Sequence, residues 1–358
     1  MPAHFLFEME KISMIRYTDD GYLRIDAIIK KGYFFNIVIG ARGTGKTFGA
    51  LKYAVERKTT GKFLFIRRTG LQAGAMGKEE TSPFKAVNNV LGTSIKSETI
   101  NRKLNISGFR NGDNLIGYGG ALTTFANFRG IDFSDVDLII YDEFIKEKHE
   151  RKLNGEGGAL VNLIETVNRN RELIGVKPVQ VICLANSNDI FNELFIELSL
   201  VLTCEKMIAR GNEEYYDKER GLLLYVIQNS PISAKKKKTA LYKLVNSDSE
   251  FYQMSIKNSF NMDESETIRS LPIKGFKPLC AIGEICIYET PNRNDCRYYV
   301  AAKAVGNGFR RYTLASADIG RFKTDYKFLW QAFFGREIVF ETYYTSKLFE
   351  KYFINVWK

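Results

Sequence analysis

The sequence predicts an α/β protein with a parallel central sheet, then a short helical connector and a small second α/β domain. Two observations carry this fold class. Between residues 35 and 228, short apolar runs alternate with helix-like stretches, as expected of parallel strands buried on both faces. After Gln228 the alternation stops at Asn229-Ser230-Pro231, and four lysines follow, Lys235–Lys238. Residues 1–228 are read as the first domain, 229–265 as the connector and 266–358 as the second domain.

The clearest strands are Phe35–Ile39, Phe63–Ile66, Val136–Tyr141, Val179–Leu184 and Leu222–Ile227. Helices are expected over Thr47–Lys58, Gly158–Leu173 and Asp189–Ser199; Leu160, Leu163, Ile164 and Val167 supply the helical spacing of the second. The connector reads as polar and helical to about Asp263. Beyond it, strands are expected at Pro278–Ile282, Glu284–Tyr288, Tyr298–Ala302 and Arg311–Ala315, with helical character from about Asp325.

Composition removes several classes. No apolar run approaches the roughly 20 residues of a membrane span, so no membrane partner is expected. Glu8 and Glu10 interrupt the N-terminal apolar residues, which argues against a signal or transit peptide and for an intracellular protein. Five scattered cysteines without a CxxC pair, and only two histidines, fit neither a zinc site nor a disulfide framework. The net charge of +11 is uneven: 61–110 holds 9 basic and 3 acidic residues, and 231–358 holds 21 and 13. Two basic regions suit polyanion contacts, although a soluble basic surface would look the same.

Gly40, Ala41, Arg42, Gly43, Thr44, Gly45, Lys46 and Thr47 match the phosphate-binding loop GxxxxGK[ST] at every fixed position, between an apolar strand and a helix-forming stretch. Such a loop curls its N–H groups around phosphate, Lys46 reaches the β- and γ-phosphates, and Thr47 ligates Mg²⁺. ATP and Mg²⁺ are the expected cofactors. The strand from Val136 ends in Asp142 and Glu143. Asp142 is placed to hold the Mg²⁺ shell and Glu143 to deprotonate an attacking water; the same pair could merely cap the next helix. The fold class is thus a P-loop (ASCE-type) ATPase core. Asn186, at the tip of the strand ending at Leu184, is expected to sense the γ-phosphate, although Asn186 or Ser187 would equally suit a cap of the following helix. Arg169 and Arg171, at the end of the Gly158–Leu173 helix, suit a dipole partner equally well as a charge reaching a neighbouring subunit's γ-phosphate.

At these residues the chain resembles the DNA-encapsidation (genome packaging) ATPases of small protein-primed podophages. The segments FNIVIGARGTGKT, FLFIRR, DLIIYDEFIKEK, LVNLIETVNRNRE and VICLANS carry the resemblance over roughly residues 30–200. It implies a homo-oligomeric ring, a pentamer, docked on the portal of a procapsid in the host cytoplasm and translocating double-stranded DNA. In some members a structural packaging RNA takes part in docking. By position, Lys46, Asp142 and Glu143 take the nucleotide and hydrolysis roles, Arg169 is similar to the trans-acting arginine, and Arg129 is a second basic residue acting between subunits. Arg67, Arg68, Lys78, Lys85 and Lys96 follow a core strand and are expected to face DNA in a channel, contacting its backbone. The second domain resembles a reduced RNase H-type module. Its first strand, Leu279-Cys280-Ala281-Ile282, lacks a central aspartate, and Glu284, Glu289, Asp295, Asp318 and Asp325 fall mostly at strand ends and turns. A nucleic-acid or portal-binding role without cleavage is therefore expected. A DNA-remodelling ATPase of the AAA+ kind would instead predict a helical lid after the core. A capsid or portal component with structural nucleotide would predict no dependence on Glu143.

Overall fold

The computed structural model describes residues 16–354 apart from 129–131, 148–149, 151–152, 154, 187–188, 257–266, 292–295, 303 and 306–307. The chain divides into two compact units, Met1–Asn261 and Met262–Lys358.

In the first unit the strands are β1 (Phe35–Gly40), β2 (Lys62–Arg67), β3 (Ile95–Asn101), β4 (Ile106–Asn111), β5 (Asn114–Ala121), β6 (Val136–Asp142), β7 (Gln180–Asn186), β8 (Glu214–Asp217) and β9 (Leu222–Val226). They form one sheet of order β3-β4-β5-β2-β6-β7-β1-β9-β8. The six central strands from β5 to β9 run parallel, and β3, β4 and β8 are added antiparallel at the edges. Every residue of β1 and β9 is buried, which explains their unbroken apolar sequences. The polar exception, Asn36, donates from Nδ2 to the carbonyls of Tyr33 (2.9 Å) and Val181 (3.2 Å).

Register decides which residues meet at the carboxyl edge, where open parallel sheets hold their ligands. Gly40 pairs with Asn186, Asp142 with Leu184, and Ile66 with Tyr141. The starts of the phosphate-binding loop, the paired carboxylates and the segment after Ile66 therefore share one rim. Behind the loop, the helix Lys46–Glu56 buries Ala50, Leu51 and Ala54 beside Ile25, Ile28 and Ile29.

The first unit departs from the sequence expectations in its edge strands, in one helix and in the connector. The meander β3–β5 carries no unbroken apolar run. β3 alternates buried and exposed positions, and β5 is rich in glycine; a Cβ at Gly117 would lie 2.4 Å from the Phe63 ring. The helix expected over Gly158–Leu173 spans Glu156–Asn168 instead, since Arg169 and Asn170 turn left-handed (φ 40° and 53°) before a short 3₁₀ helix, Arg171–Ile174. The connector residues 229–256 pack within the first unit as helices Pro231–Lys236, Ala240–Leu244 and Glu250–Ile256. Ile232 and Ile256 are buried, and the Tyr17 hydroxyl donates to the Asn229 carbonyl at 2.9 Å.

The second unit holds β10 (Lys277–Ile282), β11 (Ile285–Glu289), β12 (Tyr298–Ala301), β13 (Arg310–Tyr312) and β14 (Ile338–Phe340), in the order β13-β10-β11-β12-β14. β10–β12 form an antiparallel meander, with β13 parallel to β10 and β14 parallel to β12. Helical structure begins at Ser316 rather than near Asp325. Asp318 in the first turn accepts from the Thr313 N–H (3.0 Å) and hydroxyl (2.6 Å), which fixes the earlier start. Phe322, Trp330, Phe333, Phe340, Phe349 and Phe353 interlock between the helices and the sheet.

Candidate nucleotide and hydrolysis site

The loop from Gly40 to Thr47 turns on Gly43 and Gly45, whose φ values of 71° and 89° admit glycine far more readily than other residues. The Thr44 hydroxyl donates to the Ala41 carbonyl at 3.0 Å and closes the turn. The segment before β1 supports it from outside: Leu23 N–H donates to the Thr44 carbonyl at 2.9 Å, and Tyr22 packs against Gly45. A cleft of about 200 Å³ lies over the loop, lined by Gly43 to Phe48 together with Asp142, Glu143, Ala185 and Asn186.

Lys46 is 6% exposed, and its Nζ donates to the carbonyls of Gly40 (2.8 Å) and Ala41 (2.7 Å), the Thr44 hydroxyl (3.3 Å) and Asn186 Oδ1 (3.4 Å). Burial, aided by the nearby Lys236 and Arg42 charges, lowers its pKa to about 7 against the opposing pull of Asp142. A bound phosphate favours the ammonium and raises that pKa, so above pH 7 the complex holds more protons than the free protein. Nucleotide binding at pH 8 should therefore take up protons, with little uptake at pH 6. Calorimetry in two buffers of different ionisation enthalpy measures this. Uptake that persists unchanged in Lys46→Arg would place the titrating group elsewhere.

The Thr47 hydroxyl donates to Asp142 Oδ2 at 2.9 Å. A hydroxyl beside a carboxylate at a phosphate loop matches Mg²⁺, which takes one or two protein oxygens and keeps waters and phosphate oxygens for the rest. Burial raises the Asp142 pKa, with Arg67 and the Thr47 bond opposing. A cation here would favour the ionised form as well. Glu143 follows in a left-handed conformation (φ 59°), unusual for a residue with a side chain. Its N–H donates to Asp142 Oδ1 at 3.0 Å, and its half-exposed carboxylate lines the cleft. The turn aims the two adjacent acids differently: Asp142 stays buried beside Thr47 while Glu143 lies half-exposed in the cleft beside Arg67.

Two of the expected DNA contacts lie elsewhere. Arg67, at the end of β2, is drawn to the acids at the end of neighbouring β6, with Nη2 3.2 Å from Asp142 and Nη1 2.6 Å from Glu143. Arg68 is 1% exposed; it bonds Glu156 through Nε (2.7 Å) and Nη2 (3.1 Å), and Glu150 through Nη1 (2.7 Å). The Tyr141 hydroxyl donates to the same Glu156. Removing one member of such a buried set leaves charge unpaired, so Arg68→Ala should lose about 3–5 kcal/mol of stability in a denaturant titration. A loss of DNA affinity with stability intact would return Arg68 to the DNA surface. Lys78, Lys85 and Lys96 are exposed.

The remaining candidates separate. Arg169 caps the helix Glu156–Asn168 in the left-handed conformation, its side chain 48% exposed with Nη1 3.6 Å from Asp132. Arg171 is buried, and its Nη2 donates to the carbonyls of Ser134 (2.8 Å) and Phe133 (3.4 Å), bracing the approach to β6. Asn186 faces Lys46, while Asn192 caps the next helix, Glu193–Glu197, by accepting from the Phe195 N–H at 3.0 Å. That helix is shorter than the expected Asp189–Ser199. Arg129 and Ser187 lie outside the described residues. In the second unit Glu284 accepts from the Tyr344 hydroxyl (3.0 Å), and Glu289 faces Lys277 at 4.0 Å. Asp318 pairs with Arg321, and Asp325 with Arg310 (3.0 Å) and the Tyr312 hydroxyl; Asp295 is outside the described residues. Among the described residues, no group of three or more His, Cys, Asp or Glu could hold a metal ion.

Sequence reasoning passed over the Arg67 contact, although the parallel pairing of β2 with β6 is the signal that could have revealed it. It also passed over Lys236, whose Nζ donates to the Arg42 carbonyl of the loop; nothing in the lysine run itself points there.

Comparison with known proteins places this geometry among relatives. A family model described as podovirus DNA encapsidation protein (Gp16) matches residues 19–272. The DNA packaging protein of Bacillus phage phi29 is 29% identical over 230 residues, 63% of this chain and 61% of that protein. The DNA packaging protein of Bacillus phage B103 is 28% identical over 233 residues, 64% of each. The chain thus spans less than two thirds of these relatives' length. Among solved structures, the phi29 viral genome packaging motor assembly superposes with a TM-score of 0.63 at 19% identity, covering 93% of this chain and 99% of that one. The Phi-28 gp11 DNA packaging motor gives a TM-score of 0.63 at 17% identity, covering 95% and 100%. At those identities the likeness concerns the fold.

Proposed function

The chain belongs to the podovirus DNA encapsidation protein (Gp16) family, and from that premise we propose that it is the ATP-hydrolysing subunit of a motor that moves double-stranded DNA into a procapsid. The observation that carries the reading is the convergence of Lys46, Thr47, Asp142 and Glu143 on one cleft at the carboxyl rim of the sheet. The loop and Lys46 bind the phosphates, and Thr47 and Asp142 would hold Mg²⁺, which would supply positive charge to offset that of the phosphates. Glu143 accepts a proton from water as its oxygen attacks the γ-phosphorus, and ADP carries away the electrons of the broken bond. Asn186, facing Lys46, is suited to sense the γ-phosphate.

The subunits form a homo-oligomeric ring, a pentamer, docked on the portal in the host cytoplasm. DNA is held by its phosphates, through exposed lysines such as Lys78 and Lys85 and through the second unit. Residues 271–358 carry 14 basic and 8 acidic residues, and the acids described there are engaged with local partners, which favours binding over cleavage. Hydrolysis should rise when long double-stranded DNA is added, and the stimulation should fade steeply with salt as counterion release requires. An ATPase rate indifferent to DNA at low salt, in a chain shown to bind it, would favour a nucleotide-stabilised capsid or portal component instead.

A further inference from the structure

We propose that Lys236 is a further phosphate-directed cation of the nucleotide site, recognising the terminal phosphoryl group of a bound triphosphate and relaying its presence to the helix Glu250–Ile256. The inference rests on the nucleotide reading above and adds a residue from outside the loop motif.

Of the four lysines at 235–238, Lys236 is the one whose ammonium lies against the loop. Its Nζ donates to the Arg42 carbonyl at 2.5 Å and to the Ser255 carbonyl at 2.8 Å, and it sits 5.0 Å from the centre of the Tyr242 ring. Lys235 turns the other way and donates to the Asp20 carbonyl at 2.9 Å. Gly43 lines the cleft and places no side chain between the cleft and Lys236; a Cβ built there would lie 3.6 Å from Nζ. Lys46 Nζ donates to the Ala41 carbonyl and Lys236 Nζ to the next one, that of Arg42, so the two ammonium groups sit on consecutive carbonyls of the loop. Two cations held near each other by neutral carbonyls make a site that a polyanion relieves.

The acceptors decide the direction of the response. Carbonyls and an aromatic face are weaker partners for an ammonium than a charged phosphoryl oxygen. A triphosphate therefore competes for Lys236, whereas a diphosphate ends short of the γ-position that Lys46 also serves. Drawing Nζ towards the phosphate weakens its bond to Ser255, a buried residue of the helix Glu250–Ile256. Occupancy of the loop thus alters the hold on the last described helix of the first unit.

The test uses the full chain and three variants, Lys236→Gln, Lys236→Arg and Lys235→Gln, titrated calorimetrically with a non-hydrolysable ATP analogue and with ADP. Lys236→Gln should weaken the triphosphate analogue roughly tenfold, the loss expected of one charge-assisted hydrogen bond, with ADP affinity nearly unchanged. Lys236→Arg should keep most of the preference for triphosphate, and Lys235→Gln all of it. In the wild type, amide exchange over Glu250–Ile256 should be faster with the triphosphate analogue than with ADP, and Lys236→Gln should remove that difference. Equal weakening of both nucleotides, or of neither, would overturn the proposal and leave Lys236 as a tie between connector and loop. A wild type that binds neither nucleotide would overturn the nucleotide reading itself, a separate and recognisable result.

Discussion

Lys46→Ala should abolish nucleotide binding, while Glu143→Gln should bind normally and lose hydrolysis by about 10²–10⁴, the usual worth of a positioned general base. Lys46 is enclosed by the loop that it serves, and alanine leaves that enclosed place at the phosphates without a charge. Glu143 stands differently: its carboxylate is half-exposed and pairs with Arg67, and a partly solvated pair of this kind adds little to stability. Glutamine keeps the size and loses the basicity, so the fold and the phosphate cradle should survive. Equilibrium binding of nucleotide and single-turnover hydrolysis, measured on the same preparations, separate the two roles. Equal loss of binding in both variants would make Glu143 a structural residue and remove the catalytic assignment.

The parts of this site that could be read from the sequence are those in which adjacent residues share one task. The phosphate loop is such a case: strand, glycines, Lys46 and Thr47 are contiguous, and the left-handed turns at Gly43 and Gly45 are what glycine at those positions supplies. Asp142 and Glu143 were legible for the same reason, and the buried parallel strands announced themselves as unbroken apolar runs. Contacts made by register were harder to see. Arg67 and Arg68 read as a basic pair beside a strand, and a count of charges sent both to DNA. One is held by the acids of the neighbouring strand, and the other is buried beneath Glu150 and Glu156. Alternation hides an inward arginine as easily as an outward one, because a strand turns successive side chains to opposite faces. β3 was missed because an edge strand with one face in water needs no continuous apolar sequence, and β5 because glycine stands where Phe63 packs against it. The early end of the helix at Asn168 was missed because Arg169 adopts a left-handed cap that asparagine or glycine usually fills.

That same cap shapes the expected result for Arg169. A left-handed residue ends the helix; here Arg169 Nε donates back to the Thr166 carbonyl at 3.2 Å, and half of the side chain meets solvent. Arg171 is not an equivalent substitute, since its guanidinium is buried against the carbonyls of Phe133 and Ser134. If Arg169 completes the site of a neighbouring subunit, Arg169→Ala and Glu143→Gln should each lack DNA-stimulated hydrolysis, with Arg169→Ala down by about 10³–10⁵, the range known for arginine fingers. Mixing the two should restore part of the activity. An Arg169→Ala subunit keeps its own Glu143, and a Glu143→Gln neighbour lends it an intact Arg169, so some interfaces regain both groups. Activity should peak at intermediate mixing ratios and vanish at either end. If both variants assemble together and no ratio restores hydrolysis, the trans assignment falls. Arg169 then serves its own subunit, as the helix cap and partner of Asp132 already seen here, and Arg129 becomes the residue to test between subunits.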